Sequence, residues 1–199
     1  MFGKGVDPIY IEDIKDLDVF YDKCKKDKIL LEEVLTQNDE LAAFNNSAVN
    51  TIRIVTLICA DDSIRIMAAV LRLSRKGKFA DNFHHDGIAA LIDIETGLVN
   101  TVGVDRKWNR YTVHPDSRKS IVGFQIPKWS EILATVKKAA WVHPEVRYVG
   151  WDVTIKGNGE IVLIEGNSGA DPDVTQVEDQ IGKWPLYEPL LKDIEKMKF

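Results

Sequence analysis

The chain has 199 residues, of which 45% are hydrophobic and 29% charged, and its formal net charge is −5. With 31 Asp and Glu against 26 Lys and Arg, it lacks the basic excess of proteins that bind nucleic acids electrostatically, so we expect no nucleic-acid partner. No apolar run approaches the ~20 residues of a membrane helix, and the first residues show no signal-peptide pattern. The two cysteines, Cys24 and Cys59, have no metal or redox spacing, which is typical of thiols in a reducing compartment. We therefore expect a globular, cytoplasmic protein without membrane insertion.

Helices and strands alternate irregularly along the chain. In chain order we predict a helix over 11–26, strands over 52–59, 64–73, 89–94 and 98–104, a helix over 130–142, strands over 149–155 and 160–165, and a closing helix with Leu190, Leu191, Ile194 and Met197 on one face. The helices show apolar residues every three to four positions, and Ser130 is the expected N-cap of the second helix. Successive strands are separated by short turns, which connect antiparallel neighbours. The predicted fold class is therefore α+β rather than a doubly wound parallel sheet.

A glycine-rich segment, Phe2-Gly3-Lys4-Gly5-Val6, lies at the start of the chain. Its backbone N–H groups and its ammonium could cover phosphates, although a flexible terminus has the same composition. A ligand-holding loop of this kind normally connects two strands, and no strand precedes it here. We expect the chain either to be a fragment or to start at an internal methionine.

The hairpin near the C-terminal end combines one apolar and one polar face. If its glycine-rich turn places Asp152 opposite Glu165, Thr154 pairs with Leu163, and Asn167 lies on the same face as both carboxylates. The opposite face would then carry Val153, Ile155, Val162 and Ile164. A shift of register by one residue would separate the two carboxylates.

Two facing carboxylates repel each other unless a cation lies between them. Asp152, Glu165 and Asn167 offer only oxygen donors, which Mg²⁺ prefers, and no His or Cys accompanies them, which argues against Zn²⁺. These three residues are the predicted metal ligands. The alternative is an outer hairpin face in water, where the same residue types are common.

Several segments together resemble the ATP-grasp ligases. The C-terminal metal signature of that superfamily is an Asp, a Glu thirteen residues later and an Asn two beyond it, and Asp152, Glu165 and Asn167 match this spacing. Small residues and a proline usually follow, and here they correspond to the more acidic stretch 168–172. The segment 68–90 resembles the strand and loop of the ribosomal-protein glutamate ligases.

The resemblance implies roles for further residues. Arg53 and Arg72 would be catalytic and face the nucleotide phosphates, although Arg53 alone could be a surface arginine. The stretch 29–35 resembles the hinge strand whose backbone meets the adenine, the alternative being an exposed turn at a strand end. The nucleotide-binding residues implied in this way are Lys4, Gly5, Glu32, Glu33, Val34, Leu35, Asn50, Asn82 and His84.

Within the superfamily, the segments 50–57, 81–93 and 150–168 are most similar to the sugar-transfer associated ATP-grasp group, also called alpha-L-glutamate ligase-like. The resemblance implies a mostly antiparallel sheet with flanking helices and a truncated N-terminal subdomain. Residues 1–46 would be the remnant of that subdomain with the hinge strand, and 47–199 the C-terminal subdomain. A partner chain or domain would then supply the missing N-terminal part.

The implied activity is that of an ATP-dependent carboxylate–amine ligase that forms an acylphosphate and ADP. ATP and Mg²⁺, with Mn²⁺ as a substitute, would be the cofactors. The substrates would be a small carboxylate and an amine, sugar-linked if the chain acts in surface polysaccharide biosynthesis. The alternatives are a non-catalytic nucleotide- or sugar-binding remnant or subunit, and a kinase, for which no acceptor base stands out. Five tryptophans invite a sugar-stacking role, but we expect most of them to pack in the core or between subdomains.

Overall fold

The computed structural model describes residues 15, 17–28, 34–77, 83 and 86–197. The chain divides into two compact units, Met1–Leu35 and Thr36–Phe199. In the first unit, helix α1 spans Leu17–Asp27 and buries Cys24. The start of the predicted helix, 11–26, lies outside the described residues, and α1 ends one residue later than predicted.

The second unit contains one seven-stranded sheet in the order β5-β4-β3-β2-β1-β6-β7. Its strands are β1 Thr51–Ile58, β2 Ile64–Leu73, β3 Ile88–Leu91, β4 Gly103–Asp105, β5 Arg110–Tyr111, β6 Tyr148–Ile155 and β7 Ile161–Asn167. Its helices are α2 Asp39–Ala42, α3 Trp129–Ala140 and α4 Trp184–Glu195, and a 3₁₀ turn covers Asp173–Thr175. Every neighbouring pair of strands is antiparallel, which confirms the α+β fold class.

The third and fourth strands are shorter than predicted. The turn at 95–97 is present, and the Gly97 N–H donates to the Asp93 carbonyl at 2.8 Å. Beyond that turn, however, the Val99 N–H donates to the Phe124 carbonyl. The residues after the turn are therefore hydrogen-bonded both to the end of β3 and to the loop before α3. Regular pairing of β3 with β4 is limited to Ile88–Ala89 and Val104–Asp105.

The main hydrophobic core lies on one face of the sheet. There Ile52 of β1, Leu71 of β2 and Val153 of β6 pack with Ile132 and Val136 of α3. The side chains of Leu41 and Phe44, from the segment around α2, belong to the same core. The proposed subdomain boundary at residue 46 stays a prediction, but the stretch 36–46 packs within the second unit.

The opposite face of the sheet has a smaller apolar patch, limited to the side of β2, β3 and β4. Its strand residues Val70, Ala89 and Val104 pack against Val174 and Val177 from the region of the 3₁₀ turn. On β1 and β6 this face carries Arg53 and Asp152, which lie opposite each other. The functional residues predicted on these strands therefore point away from the main core.

The start of α3 differs from the prediction. The helix begins at Trp129, its N-cap is Lys128 with φ +53° and no side-chain cap, and Ser130 lies inside the first turn. The Trp129 indole donates to the Ile94 carbonyl at 2.9 Å and packs so closely on Gly97 that a Cβ there would lie 2.4 Å from the ring. This packing accompanies a helix start two residues earlier than a serine cap at position 130 would give.

The β6–β7 hairpin confirms the pairing of Asp152 with Glu165 but not the register next to it. A bulge follows Asp152, so that Val153 pairs with Leu163 and Thr154 with Val162. The predicted pairing of Thr154 with Leu163 is therefore wrong. On the core side Val153 and Ile155 are joined by Ile161 and Leu163, instead of by Val162 and Ile164, and Ile164 is 49% exposed.

The turn of this hairpin explains the bulge. Lys156 donates to the Glu160 carbonyl, and Gly159 closes the turn with a φ of +83°. Extended without interruption, this register would place Ile164 opposite Asp152. One extra residue in β7 restores the alternation and brings Glu165 to the polar face.

Two of the five tryptophans pack with the core. Trp129 is 8% exposed and Trp151 packs against the core cluster. Trp108, Trp141 and Trp184 are 61%, 47% and 61% exposed. Two of these three lie at ends of helices, where a residue has fewer neighbours, and the third lies in a turn between strands.

Candidate active site

Three adjacent strands bring two arginines and an aspartate together on the polar face. Arg53 of β1 lies directly opposite Asp152 of β6. Arg72 of β2 pairs with Thr51, two positions from Arg53, and therefore points to the same face. Because β1 is central, residues far apart in sequence become neighbours.

Asp152 is held by both arginines, and we call these three residues the arginine clamp. Arg53 donates Nε–H to Oδ1 at 2.5 Å and an Nη2 proton to Oδ2 at 2.8 Å. Arg72 Nη1 lies 3.0 Å from Oδ1 and 2.9 Å from Oδ2. Each carboxylate oxygen thus accepts from two donors, which uses the two lone pairs of each oxygen.

The electrostatics of Asp152 follow from this geometry. The three side chains of the clamp are only 12%, 10% and 7% exposed. Burial acts to raise the pKa of Asp152, but the Arg53 hydrogen bonds and the charges of both guanidiniums hold it below the usual range. Asp152 is therefore ionised throughout the neutral pH range.

Glu165 and Asn167 of β7 lie beside the clamp and open to the solvent. The Asn167 side chain donates to Glu165 Oε1 at 2.8 Å. Glu165 is exposed and Asn167 half-buried, unlike Asp152. These two residues offer oxygen atoms that a small ligand or cation could reach.

A cleft of about 250 Å³ contains these groups, and its wall beyond β7 is an acidic loop. The lining residues are Arg53, Arg72, Phe83, Glu165, Asn167, Gly169, Ala170, Asp171, Asp173 and Val174. Of these, Phe83, Asp171, Asp173 and Val174 were not predicted as site residues. The acidic character of 168–172 was visible in the sequence, but only the fold shows that this stretch returns to Arg53.

Two contacts position the acidic loop. The Tyr148 hydroxyl donates to the Ala170 carbonyl at 3.0 Å. Ala170 also packs directly onto Gly150 of β6, where an added Cβ would lie only 2.5 Å from the Ala170 Cβ and 3.2 Å from Arg53 Cδ. Glycine at 150 therefore lets the loop approach the arginine clamp.

The structure places Asn50, another predicted nucleotide ligand, inside the protein. It is 0% exposed. Its amide donates to Gln37 Oε1 and the Leu41 carbonyl, and its oxygen accepts from the backbone and hydroxyl of Ser74. This network fastens the α2 segment to β2, so in this conformation Asn50 cannot reach a ligand in the cleft.

Of the other predicted nucleotide ligands, the structure describes Val34 and Leu35. Val34 is 83% exposed and Leu35 half-buried, and both belong to the first unit. The remaining ones lie outside the described residues: Lys4, Gly5, Glu32, Glu33, Asn82 and His84.

Comparison with known families decides the affiliation. The sugar-transfer associated ATP-grasp family matches residues 16–194. The chain belongs to this family. No curated protein matches it in sequence. Among the described residues, no helix is long and apolar enough to cross a membrane.

Two solved structures are similar to this ATP-grasp chain, both of the ATP-grasp ligase PsnB. One, complexed with a minimal precursor, has a TM-score of 0.41 and 14% identity, over 81% of this chain and 36% of that chain. The other, complexed with a phosphomimetic variant of the minimal precursor, Mg and ADP, has a TM-score of 0.42 and 13% identity, over 81% and 35%. The chain thus spans about a third of the length of PsnB.

The cation expected in an ATP-grasp site can be tested against the donor set. Glu165 and Asn167 fit a hard divalent ion, because they offer accessible oxygens in one cleft. Asp152 in this arrangement does not, since both of its oxygens are engaged by the arginine clamp. Consistently, no group of three or more His, Cys, Asp or Glu among the described residues is placed to hold a metal ion.

Proposed function

We propose that this ATP-grasp chain is an ATP-dependent carboxylate–amine ligase. The observation that carries the proposal is the cleft in which Arg53 and Arg72 lie beside Glu165 and Asn167. Two guanidiniums next to accessible oxygen ligands form an arrangement that suits a metal-bound polyphosphate. Family membership supports a ligase-type reaction.

The proposed reaction has two steps. A carboxylate oxygen of the first substrate attacks the γ-phosphorus of ATP, the bond from that phosphorus to the β,γ-bridging oxygen breaks, and ADP leaves. An amine then attacks the acyl carbon of the acylphosphate, phosphate leaves, and the nitrogen loses one proton to give an amide. Arg53 and Arg72 would hold the transferring phosphoryl group and neutralise its charge.

Glu165 and Asn167 would hold Mg²⁺, or Mn²⁺ in its place, which neutralises phosphate charge when bound. Asp152 would complete this set only if one arginine turned from the carboxylate to the phosphates. In the resting arrangement Asp152 orients both guanidiniums toward the cleft. The nucleotide contacts implied for the glycine-rich segment, the hinge, Asn82 and His84 stay predictions.

The substrates are proposed by class. Family membership supports a sugar-linked carboxylate or amine and a role in surface polysaccharide biosynthesis, in the cytoplasm. A partner chain or domain would supply the N-terminal part of the nucleotide clamp. A second candidate, a non-catalytic nucleotide- or sugar-binding module, is favoured by one observation, the full engagement of Asp152.

Calorimetric titration with the β,γ-imido analogue of ATP tests the nucleotide site. We expect wild-type protein to bind the analogue with Mg²⁺ and not with EDTA. Glu165→Gln should weaken this binding at least tenfold, whereas Glu160→Gln, on the same hairpin but outside the cleft lining, should leave it unchanged. Equal affinity in both variants, or no binding at millimolar analogue, would contradict the proposal.

Product analysis separates the two candidate functions. Wild-type protein that binds the analogue is incubated with ATP, Mg²⁺ and paired carboxylate and amine substrates, and ADP and phosphate are measured. A ligase releases both only when a carboxylate is present. Nucleotide binding without any ADP release across the panel would favour the non-catalytic module.

A further inference from the structure

A second cavity, of about 440 Å³, adjoins the cleft. Phe83 and Asp173 line both cavities and so form their common boundary. The lining of the second cavity also includes Arg106, Trp108, Gln176, Gln180 and Ile181. A molecule in this cavity would therefore lie next to the arginine cleft, where the proposed acyl transfer takes place.

Trp108, whose indole lines this cavity, has an unfavourable backbone conformation. Trp108 has a φ of +67°, a region that bulky side chains rarely adopt, and its side chain is 61% exposed. Burial therefore does not explain the strain. Strained backbone of this kind is maintained where the surrounding structure enforces it, which often happens at ligand sites.

Asp105 enforces this turn. It is 6% exposed, and its carboxylate accepts from the backbone of Lys107 and Asn109, the Asn109 amide and the Tyr111 hydroxyl, all within 3.0 Å. Burial acts to raise the pKa of Asp105, but the bonds from Asn109 and Tyr111 lower it further than burial raises it. A buried, ionised aspartate thus fixes an exposed tryptophan.

The part of the lining formed by 176–182 contains polar side chains, and this wall is tied to the same turn. Arg110, which follows the turn, donates to the Glu178 carbonyl at 3.1 Å. This wall presents the side chains of Gln176 and Gln180 together with Ile181, which is 59% exposed. The cavity thus combines the Trp108 indole with side-chain amides and with one charge of each sign, Arg106 and, at the boundary with the cleft, Asp173.

We propose that this cavity is the acceptor subsite and that it binds an amino sugar. A pyranose presents a face of C–H groups to an indole and hydroxyls to side-chain amides. A protonated amino group would pair with Asp173 at the entrance to the cleft, and transfer of one proton to this carboxylate would leave the free amine that attacks the acyl carbon. A purely aromatic ligand would leave the amide wall unused. The inference rests on the proposed function, because it names the class of amine that the ligase would use.

Ligand-observed NMR without nucleotide tests the subsite independently of ATP binding. The probes are methyl α-D-glucosaminide, methyl α-D-glucoside and cyclohexylamine. We expect the glucosaminide to bind at least fivefold more tightly than either of the others, with saturation transfer strongest at its ring C–H protons. Equal binding of cyclohexylamine would overturn the assignment to a sugar, and no binding of the glucosaminide would overturn the subsite.

Variants of the turn and of the boundary residue complete the test. Trp108→Gly relieves the positive φ, so we expect an unchanged or higher melting temperature and at least tenfold weaker glucosaminide binding. Trp141→Ala, at an exposed tryptophan outside the cavity lining, should bind like wild type, and Asp173→Asn should remove the preference for glucosaminide over glucoside. A lower melting temperature in Trp108→Gly would mark this tryptophan as structural and overturn the proposal.

Titration of Trp108→Gly with the ATP analogue separates failure of the subsite from failure of the ligase proposal. This variant should bind the analogue like wild type, because Trp108 does not line the arginine cleft. Sugar binding without nucleotide binding in wild type would contradict the ligase and leave the subsite intact. Nucleotide binding without sugar binding would contradict the subsite alone.

Discussion

Replacing Asp152 with alanine tests the arginine clamp directly. The change leaves two guanidiniums, 12% and 10% exposed, beside each other without their counter-charge. Removing one partner of a buried ion pair costs about 3–5 kcal/mol. Water can reach these arginines through the cleft, so we expect a loss near the lower end, ~3 kcal/mol. That is a large share of the about 5–15 kcal/mol that stabilises a typical domain.

Urea unfolding followed by tryptophan fluorescence measures this loss. With a slope of about 2 kcal/mol per molar urea, a loss of ~3 kcal/mol lowers the midpoint by about 1.5 M. Glu165→Gln is the matched control, because Glu165 lies opposite Asp152 but is exposed. Substitutions at such surface positions usually change stability by no more than about 0.5 kcal/mol.

The pH dependence gives a second check on the same variant. The pKa of Asp152 is depressed below its ordinary value of 3.8, so its stabilisation is present above that pH and is lost as pH falls through the folded-state value. The difference between wild type and Asp152→Ala should therefore shrink below pH 4. Equal midpoints at pH 7, or a loss as large in Glu165→Gln, would refute this account of the clamp.

Three further predictions concern the same unit. Glu178 is 2% exposed, and burial raises its pKa to about 8. The wild-type free energy of unfolding should therefore fall by about 1.4 kcal/mol per pH unit between pH 5 and 8. In chemical unfolding across this range, the free energy of Glu178→Gln should fall less steeply with pH, and equally steep falls in both proteins would contradict the raised pKa. Gly150→Ala should destabilise by about 1–3 kcal/mol through overpacking, and adding Ala170→Gly should recover most of the loss in a thermal melt; no recovery would place the clash elsewhere. Asn50→Ala leaves several buried partners unsatisfied and should lower the urea midpoint by the equivalent of about 2–4 kcal/mol, whereas a ligand residue would change nucleotide affinity with little loss of stability.

The sequence predicts well those features that depend on local pattern. The pairing of Asp152 with Glu165, which was assumed from the glycine-rich turn, is present, and the short turns were sufficient to predict antiparallel pairing. The bulge beside Asp152 was missed, because it follows from a tight turn closed by a glycine with positive φ. A one-residue difference in that turn decides which of Leu163 and Ile164 faces the core.

Features that depend on strand order across the sheet could not be read from the sequence. Arg53 and Asp152 are 99 positions apart, and they meet because β1 lies between β2 and β6. The residues around Asn50 fit a ligand-binding residue as well as a structural one. Only the position of the α2 segment shows that the Asn50 amide is hydrogen-bonded inside the protein. The exposure of Trp108 could not be predicted either, because it is set by a strained turn, which hydrophobicity does not reveal.

The sequence predicts a cation between the two facing carboxylates of the hairpin. The repulsion between Asp152 and Glu165 is relieved within the chain, because both guanidiniums of the clamp are bound to Asp152. The cleft lining contains three carboxylates, Glu165, Asp171 and Asp173, and two guanidiniums, Arg53 and Arg72, both of which bind Asp152 as well. A bare polyphosphate would therefore be repelled there. If the cleft binds ATP, the nucleotide has to arrive with its divalent cation, and Glu165 with Asn167 is the place where that charge is accepted.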